Sequence, residues 1–444
     1  MENLTQCIES LGAQEEARHT TVIVAFEEST PHVKAKCKTL KKLGEDLNLK
    51  RLQFSIHQLN LQEETFGKCS SSNYALRQVT AILDHGLGKY FDPSKFIVTV
   101  CDPDIRFPTD YLSALTACYV REDDPTGLIF QSPMIHTVGL GNTCAVTRLS
   151  RIFWSFLTLG AFVPFSINAV SVFSFSLRLC MDGNYIHPGY DLFDMLSLVR
   201  WMGNTGRTLR ICTVPVALMR RPPMENSIWV EVKARAKEVV GVTLCSAEMF
   251  HYFILNVHNM PPLAGISWGM NFTVFYGFML YCSGLYTATA ALSMLLLVGR
   301  IPFYLFFLFW LANMVQLFCF IAMFVVDLYA PRLIPSLKER IPLSLNGLHI
   351  LVSPFVWFLF SCLAIGGLFD LLITGKRPYQ SEESKSEAVQ LAAGAFREAG
   401  AGHSRPTRYL SFWKRRAADR QVHPQPDVVP THHRPSVGNV ATIP

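Results

Sequence analysis

The stretch that decides the reading is Phe96-Ile97-Val98-Thr99-Val100-Cys101-Asp102-Pro103-Asp104, an apolar run rich in β-branched residues that reads as a strand and ends in two carboxylates. Side chains two apart on an extended backbone share a face, so both acids can point into one cleft at the strand's end. Hard oxygen ligands suit magnesium or manganese. Such ions commonly join one or two carboxylates to the phosphates of a bound nucleotide. Two acids at a strand end also serve as caps and turns, so the pair takes its meaning from its surroundings.

Outward from that strand the chain alternates between extended and helical patterns. Thr20 to Phe26 reads as a first strand, a lysine-bearing helix follows from about Pro31 to Gly44, and Leu52 to His57 reads as a second strand. A loop carrying Gly67-Lys68-Cys69-Ser70 leads into a helix from about Asn73 to Asp84, where Asn73 can act as a cap. Pro108 opens another helix, and Thr126 to Gln131 returns to the sheet. This alternation predicts an α/β sheet.

The second half has a different character. The 444 residues are 50% hydrophobic, which is high for a wholly soluble chain, and the excess is concentrated late. Phe272 to Val298 and Ile301 to Val326 carry no charge, and Ile341 to Phe369 holds only His349 among residues that can carry one. Each is long enough to cross a bilayer, and Gly299-Arg300 fits a tight hairpin between the first two. The expected organisation is an N-terminal extension over 1–19, an α/β domain over 20–256, and a helical membrane region over 257–376. That region holds about three helices, near 272–298, 301–326 and 350–374, and a disordered tail follows over 377–444.

Arg151 to Phe175 is also apolar, but a crossing there would put Asp102 and Asp191 on opposite sides of the membrane, so it reads as buried or interfacial. Val242 to Leu255 reads as a stretch that can lie on the membrane surface. The expectation is an integral, multi-pass membrane protein with its α/β domain facing the cytosol.

Composition removes several function classes. Twelve cysteines have no C-x-x-C spacing, which points away from a zinc site or a disulfide framework and toward reduced thiols. Met1 to His19 is polar and acidic, without the apolar core of a signal peptide. The net charge of +6 is modest for this length, with much of the basic excess in the tail, and gives no basis for a nucleic-acid partner.

Several ordered motifs together resemble glycosyltransferase family 2, the GT-A-fold enzymes that include cellulose-synthase-like and ceramide-glucosyltransferase-like membrane proteins. The resemblance covers about Thr20 to Tyr252 and, in general layout, the helices that follow. Ala25-Phe26-Glu27-Glu28 looks like that family's first strand and its acidic nucleotide-contacting residue, here Glu28. The segment from Gly67-Lys68 to Asn73-Tyr74-Ala75 is similar to its Gly-Lys segment followed by Asn-Tyr-Ala. Asp102-Pro103-Asp104 matches its DxD motif, and Phe130-Gln131-Ser132-Pro133 resembles its Gln-x-Pro strand.

The resemblance implies a GT-A domain with a mixed, mostly parallel sheet, and an inverting, metal-dependent transfer from a nucleotide-sugar donor, with UDP as the expected nucleotide, to a lipid or glycan acceptor. Asp104 would hold Mn2+ or Mg2+, Asp102 would contact the ribose or a metal-bound water, and Lys68 would face a diphosphate or a sugar carboxylate. The general base would be Asp191 in His187-Pro188-Gly189-Tyr190-Asp191, with Asp194 as a competitor three residues on.

Two departures stand out. Tyr190 replaces the Glu that normally precedes the base, and Val232-Lys233-Ala234-Arg235-Ala236-Lys237-Glu238 stands where processive members carry Gln-x-x-Arg-Trp. Arg235 or Lys237 would be the cation there. The missing Trp removes a flat surface on which an acceptor sugar could stack, which argues against polymer synthesis. The same departures fit an alternative, a catalytically inactive glycosyltransferase-like membrane scaffold or binding protein.

Overall fold

The computed structural model describes residues 1–58, 64, 67–135, 143–190, 193–220, 227–333 and 342–375. The expected tail over 377–444 therefore lies outside the described residues. The first half is α/β: α1 (Glu2–Gly12), β1 (Thr21–Glu27), α2 (Val33–Glu45), β2 (Arg51–His57), α3 (Lys68–Leu87), β3 (Ile97–Val100) and β4 (Ile105–Arg106). It continues with α4 (Tyr111–Arg121), β5 (Leu128–Gln131), β6 (Met134–Ile135), α5 (Ala145–Leu157), β7 (Phe173–Ser176), α6 (Leu177–Asp182), α7 (Phe193–Thr205), β8 (Arg210–Thr213) and β9 (Leu218–Arg220). Long helices follow: α8 (Ile228–Asn256), α9 (Pro262–Phe272), α10 (Ser283–Leu296), α11 (Phe303–Leu333) and α12 (Leu343–Thr374). A π-helical stretch, Thr273–Cys282, joins α9 to α10.

The described strands form three small sheets in place of one mostly parallel sheet. β1 and β2 pair in parallel, the central sheet runs β3-β7-β5-β8, and a third runs β4-β9-β6. Among the described pairings three are parallel and three antiparallel. The reason is β7, which enters between β3 and β5 and is antiparallel to both, with Val100 opposite Phe173. Alternation along β7 divides the domain. Phe173 and Phe175 face one cluster that includes Trp201 of α7, with Phe175 edge-on to Trp201 at 4.7 Å. Ser174 turns the other way and its hydroxyl meets the Tyr111 hydroxyl at 3.1 Å.

Residues 1–19 are folded into the domain. Cys7, Ile8 and Ala17 are buried, and the Ser10 hydroxyl accepts the Phe107 backbone N–H at 3.1 Å. The Arg151–Phe175 stretch is interior, as expected: Ile152, Leu157, Phe162, Ile167 and Val172 are all buried. The helix expected from Asn73 begins five residues earlier, at Lys68, with Gly67 before it at a φ of 143°. The hydroxyls of Ser70 and Ser71 donate back to the Gly67 carbonyl, and this back-bonding settles a serine-rich run into a first helical turn. Asn73 is consequently inside the helix, with its side-chain oxygen accepting from Arg77 Nε at 3.4 Å.

Among the described residues four helical stretches are long and apolar enough to cross a membrane, one more than the three expected: Ile228–Asn259, Pro262–Leu296, Phe303–Tyr329 and Ser344–Thr374. On α11 the large apolar side chains Phe303, Phe307, Leu308 and Phe318 are exposed, the surface that lipid would cover. The added stretch differs, because Met249, Tyr252 and Phe253 of α8 are buried in the same cluster as Trp201 and the β7 phenylalanines. Long apolar helices after a mixed α/β region point to an integral membrane protein.

Candidate active site

The acids at the end of β3 do converge with basic groups. Lys68, in the first turn of α3, lies with its Nζ 2.6 Å from Asp102 Oδ1. Arg220, the last residue of β9, stands between the two aspartates. Its Nε donates to Asp104 Oδ2 at 2.8 Å, and its Nη1 lies 3.7 Å from Asp102 Oδ2. β9 can supply this arginine because it pairs antiparallel with β4, which begins directly after Asp104.

Ser171 ties the cluster to the next acid. Its hydroxyl accepts from Arg220 Nη1 at 2.8 Å, its carbonyl from Lys68 Nζ at 3.5 Å, and its backbone N–H donates to Asp194 Oδ2 at 2.9 Å. It does so at a φ of 53°, a left-handed conformation that a serine adopts at a cost. Asp194 thus joins the Asp102 and Asp104 cluster through one residue. Asp191, the expected base, lies outside the described residues.

The electrostatics follow from this packing. Burial alone would raise the Asp102 carboxyl, but Lys68 and Arg220 beside it hold it below the ordinary aspartate range. Burial would lower Lys68 and Arg220, but the facing carboxylates carry both above their usual values.

Other expected residues fall as follows. Glu28 is exposed and accepts from Gln58 Nε2 at 3.2 Å. Its neighbour Glu27 is the inward acid: it is buried and accepts the Gly67 backbone N–H at 2.7 Å, at the start of the helix that carries Lys68. Arg235 of α8 is buried and pairs with Glu238 one turn on. Arg151 of α5 approaches the same Glu238 at 3.7 Å. Burial first, then Arg235 and Arg220 nearby, push Arg151 down to about 10. Lys237, the alternative cation, is exposed on the same helix.

Arg220, Ser171, Glu27 and Arg151 were not foreseen. For Arg220 the sequence did hold a signal, a basic residue closing a short apolar run ahead of Pro222-Pro223. For Ser171 it held none, since a left-handed serine inside a long apolar run has no local signature.

Asp104 Oδ1 is a buried carboxylate oxygen with no hydrogen-bond partner among the described residues, the kind of atom a hard cation would satisfy. Asp102 is adjacent to it. Among the described residues no cluster of three or more His, Cys, Asp or Glu surrounds the position, so the remaining oxygens would come from substrate phosphates and water. The residues fit a cation shared with a phosphate ligand.

No protein-family model matches this chain, and no curated protein matches it. Among solved structures it is similar to the mannosyltransferase PcManGT from Pyrobaculum calidifontis in complex with GDP-Man and Mn2+. Identity is 12%, 84% of each chain is covered, and the TM-score is 0.44. A likeness of that extent fixes neither fold nor activity.

Proposed function

We propose that this chain is a membrane-bound, inverting glycosyltransferase of the family 2 type, with a GT-A domain over 20–256 that faces the cytosol. It would take a sugar from a nucleotide-sugar donor, UDP-linked by the motif resemblance, and pass it to a lipid or glycan acceptor at the membrane. The observation that carries this reading is the meeting of Asp102, Asp104, Lys68 and Arg220 at one strand end, with Asp194 joined to them through Ser171. Carboxylates and fixed cations at one point suit a ligand that is itself a phosphate chain with a metal.

Asp104, with Asp102 beside it, would hold Mn2+ or Mg2+. When bound, such an ion neutralises negative charge on a departing diphosphate. Lys68 and Arg220 supply fixed positive charge at the same end of the site, and the half-buried setting makes that charge count for somewhat more than it would in water. Arg235, on the α8 side, would be a third cation. In the proposed transfer an acceptor oxygen bonds to the anomeric carbon as that carbon's bond to the diphosphate oxygen breaks, and the electron pair leaves with the nucleoside diphosphate. Asp191 takes the acceptor proton, and Asp194 lies three residues further along the chain.

The test uses purified protein in lipid nanodiscs with manganese and a panel of nucleotide sugars. Donor hydrolysis or transfer should appear for one donor and be lost in Asp104→Ala. Undiminished turnover in that variant would remove the metal role.

Two observations favour a second reading. Arg220 already engages both aspartates, and Tyr190 stands where the family has a glutamate, so the site could bind a nucleotide without turning it over. Calorimetry separates the two. A silent binding module takes up nucleotide with no dependence on manganese and is indifferent to Asp191→Asn.

A further inference from the structure

The first turns of α8 have two unlike faces. Glu231 and Arg235 turn inward and are buried, Glu231 accepting the Cys144 backbone N–H at 3.3 Å and Arg235 pairing with Glu238. The opposite face leaves the protein. Ile228, Trp229 and Val230 are exposed, Trp229 by 81%. Lys233 and Lys237 follow Trp229 at the i+4 and i+8 positions, the spacing that keeps side chains on one side of a helix, and both are exposed. The acids of these turns lie elsewhere, since Glu231 is buried and Glu238 turns to Arg151 and Arg235.

The neighbouring α12 sets the height of this face in a bilayer. A methyl group at Gly367 would lie 3.2 Å from Val240 Cγ1, so α12 passes close over α8 one turn beyond Lys237. Gly367 stands two turns before the end of α12 at Thr374, roughly 10 Å at the rise of a helix. That end is bare as well, with Leu372 and Ile373 exposed by 79% and 82%. Ser344–Thr374 is apolar and long enough to cross a membrane, so its end and the first turns of α8 share one membrane boundary. An indole beside isoleucine and valine is poorly placed in water but well placed at headgroup depth, where lysine stems lie along hydrocarbon and their charges reach the lipid heads. Lysines without an acid among them suit headgroups of net negative charge.

We infer that the first turns of α8 dock on an anionic lipid leaflet, with Trp229 at headgroup depth and Lys233 and Lys237 facing the negative heads. The contact depends on the chain being a membrane protein and not on the transferase reading. The cytoplasmic leaflet is the anionic one in cells, so the same contact would hold the α/β domain on the cytosolic side.

The experiment places the full chain in phosphatidylcholine nanodiscs that contain either brominated phosphatidylglycerol or brominated phosphatidylcholine at matched bromine content. The Trp229 signal is the difference in Trp emission between the parent and Trp229→Phe. Both lipids should quench that signal, phosphatidylglycerol at about fivefold lower mole fraction, the effect of one lysine near a charged surface. Lys233→Gln combined with Lys237→Gln should bring the two lipids together, and the corresponding pair of Lys→Arg replacements should keep them apart. High salt should also close the gap, because it screens exposed charges and leaves the apolar contact in place. A Trp229 signal quenched by neither lipid overturns the inference and puts water or protein over this face. Equal quenching by the two lipids in the parent makes it a neutral interfacial anchor and overturns the anionic assignment, as does a preference that survives the double Gln variant.

Discussion

The backbone N–H of Ser171 donates to Asp194 Oδ2 at 2.9 Å, so one residue held in a left-handed conformation joins the acid of α7 to the Lys68 and Arg220 cluster. A strained residue persists where its surroundings hold it, and here the holders are charged groups of the site. Ser171→Ala keeps the strain and loses the hydroxyl that receives Arg220. Ser171→Gly loses the same hydroxyl but accepts a φ of 53° without penalty. The glycine variant should therefore be the more stable by about 1 kcal/mol, seen as the higher melting temperature. Both should bind nucleotide more weakly than the parent. An alanine variant as stable as the glycine one would show that the conformation is not strained.

Arg148 and Asp327 hold the α/β domain to its helices. Arg148 on α5 is fully buried and donates to Asp327 Oδ2 of α11 at 3.0 Å, to Asn346 of α12, and approaches His349 Nδ1 at 3.2 Å. Removing one member of a buried pair strands the other, at a cost of about 3–5 kcal/mol. Arg148→Met should lower thermal stability in detergent by that order, and Arg148→Met combined with Asp327→Leu should recover most of it. A double variant no better than the single would show that Asp327 is not the group left stranded.

Tyr111 gives the α/β domain an alkaline limit. Burial, only partly opposed by its hydrogen bond to Ser174, pushes its phenol up to about 12. An unfolded tyrosine titrates near 10, so between those values the unfolded chain ionises while the folded one does not. Folding then weakens as pH rises, by about 1 kcal/mol per pH unit across that window. Tyr111→Phe should be less stable at neutral pH by about 1 kcal/mol, for the lost hydrogen bond, and should decline less steeply, since Tyr119 and Cys180, also raised by burial, still contribute. Parallel alkaline melting curves for the two proteins would mean that Tyr111 ionises as an ordinary phenol does.

Local signals carried much of this architecture. The strands at Thr21–Glu27, Arg51–His57 and Ile97–Val100 fall within a residue or two of where β-branched runs put them, because each is bounded by polar turns. β7 was hidden because Arg151 to Phe175 reads as one apolar stretch, and periodicity cannot separate a short buried strand from a buried helix. Its antiparallel insertion turned an expected mostly parallel sheet into three small ones. In the site, Asp102, Asp104 and Lys68 were legible because they sit in motifs. Arg220, Ser171 and Glu27 were not, because their roles depend on strand pairing and on one unusual backbone conformation, both set by tertiary contacts. The Glu27 and Glu28 choice shows the limit: adjacent identical residues differ only in where the strand ends.

Arg220 decides between an enzyme and a silent binding module, because it occupies the space that faces both aspartates. If a divalent ion and Arg220 compete for those carboxylates, Arg220→Gln frees Asp104 Oδ2 and leaves two like charges close together. The vacated pair should then bind Mn2+ about tenfold more tightly in the absence of any nucleotide, measured by titration calorimetry on the purified protein. Nucleoside diphosphate binding without metal should weaken in the same variant, since one of the two cations nearest the acids has gone. A rise in Mn2+ affinity with a fall in metal-free nucleotide binding supports a site built for metal and phosphate together. If instead Mn2+ affinity does not move, the arginine is a structural clamp on the strand end, and Asp102 and Asp104 are its partners alone.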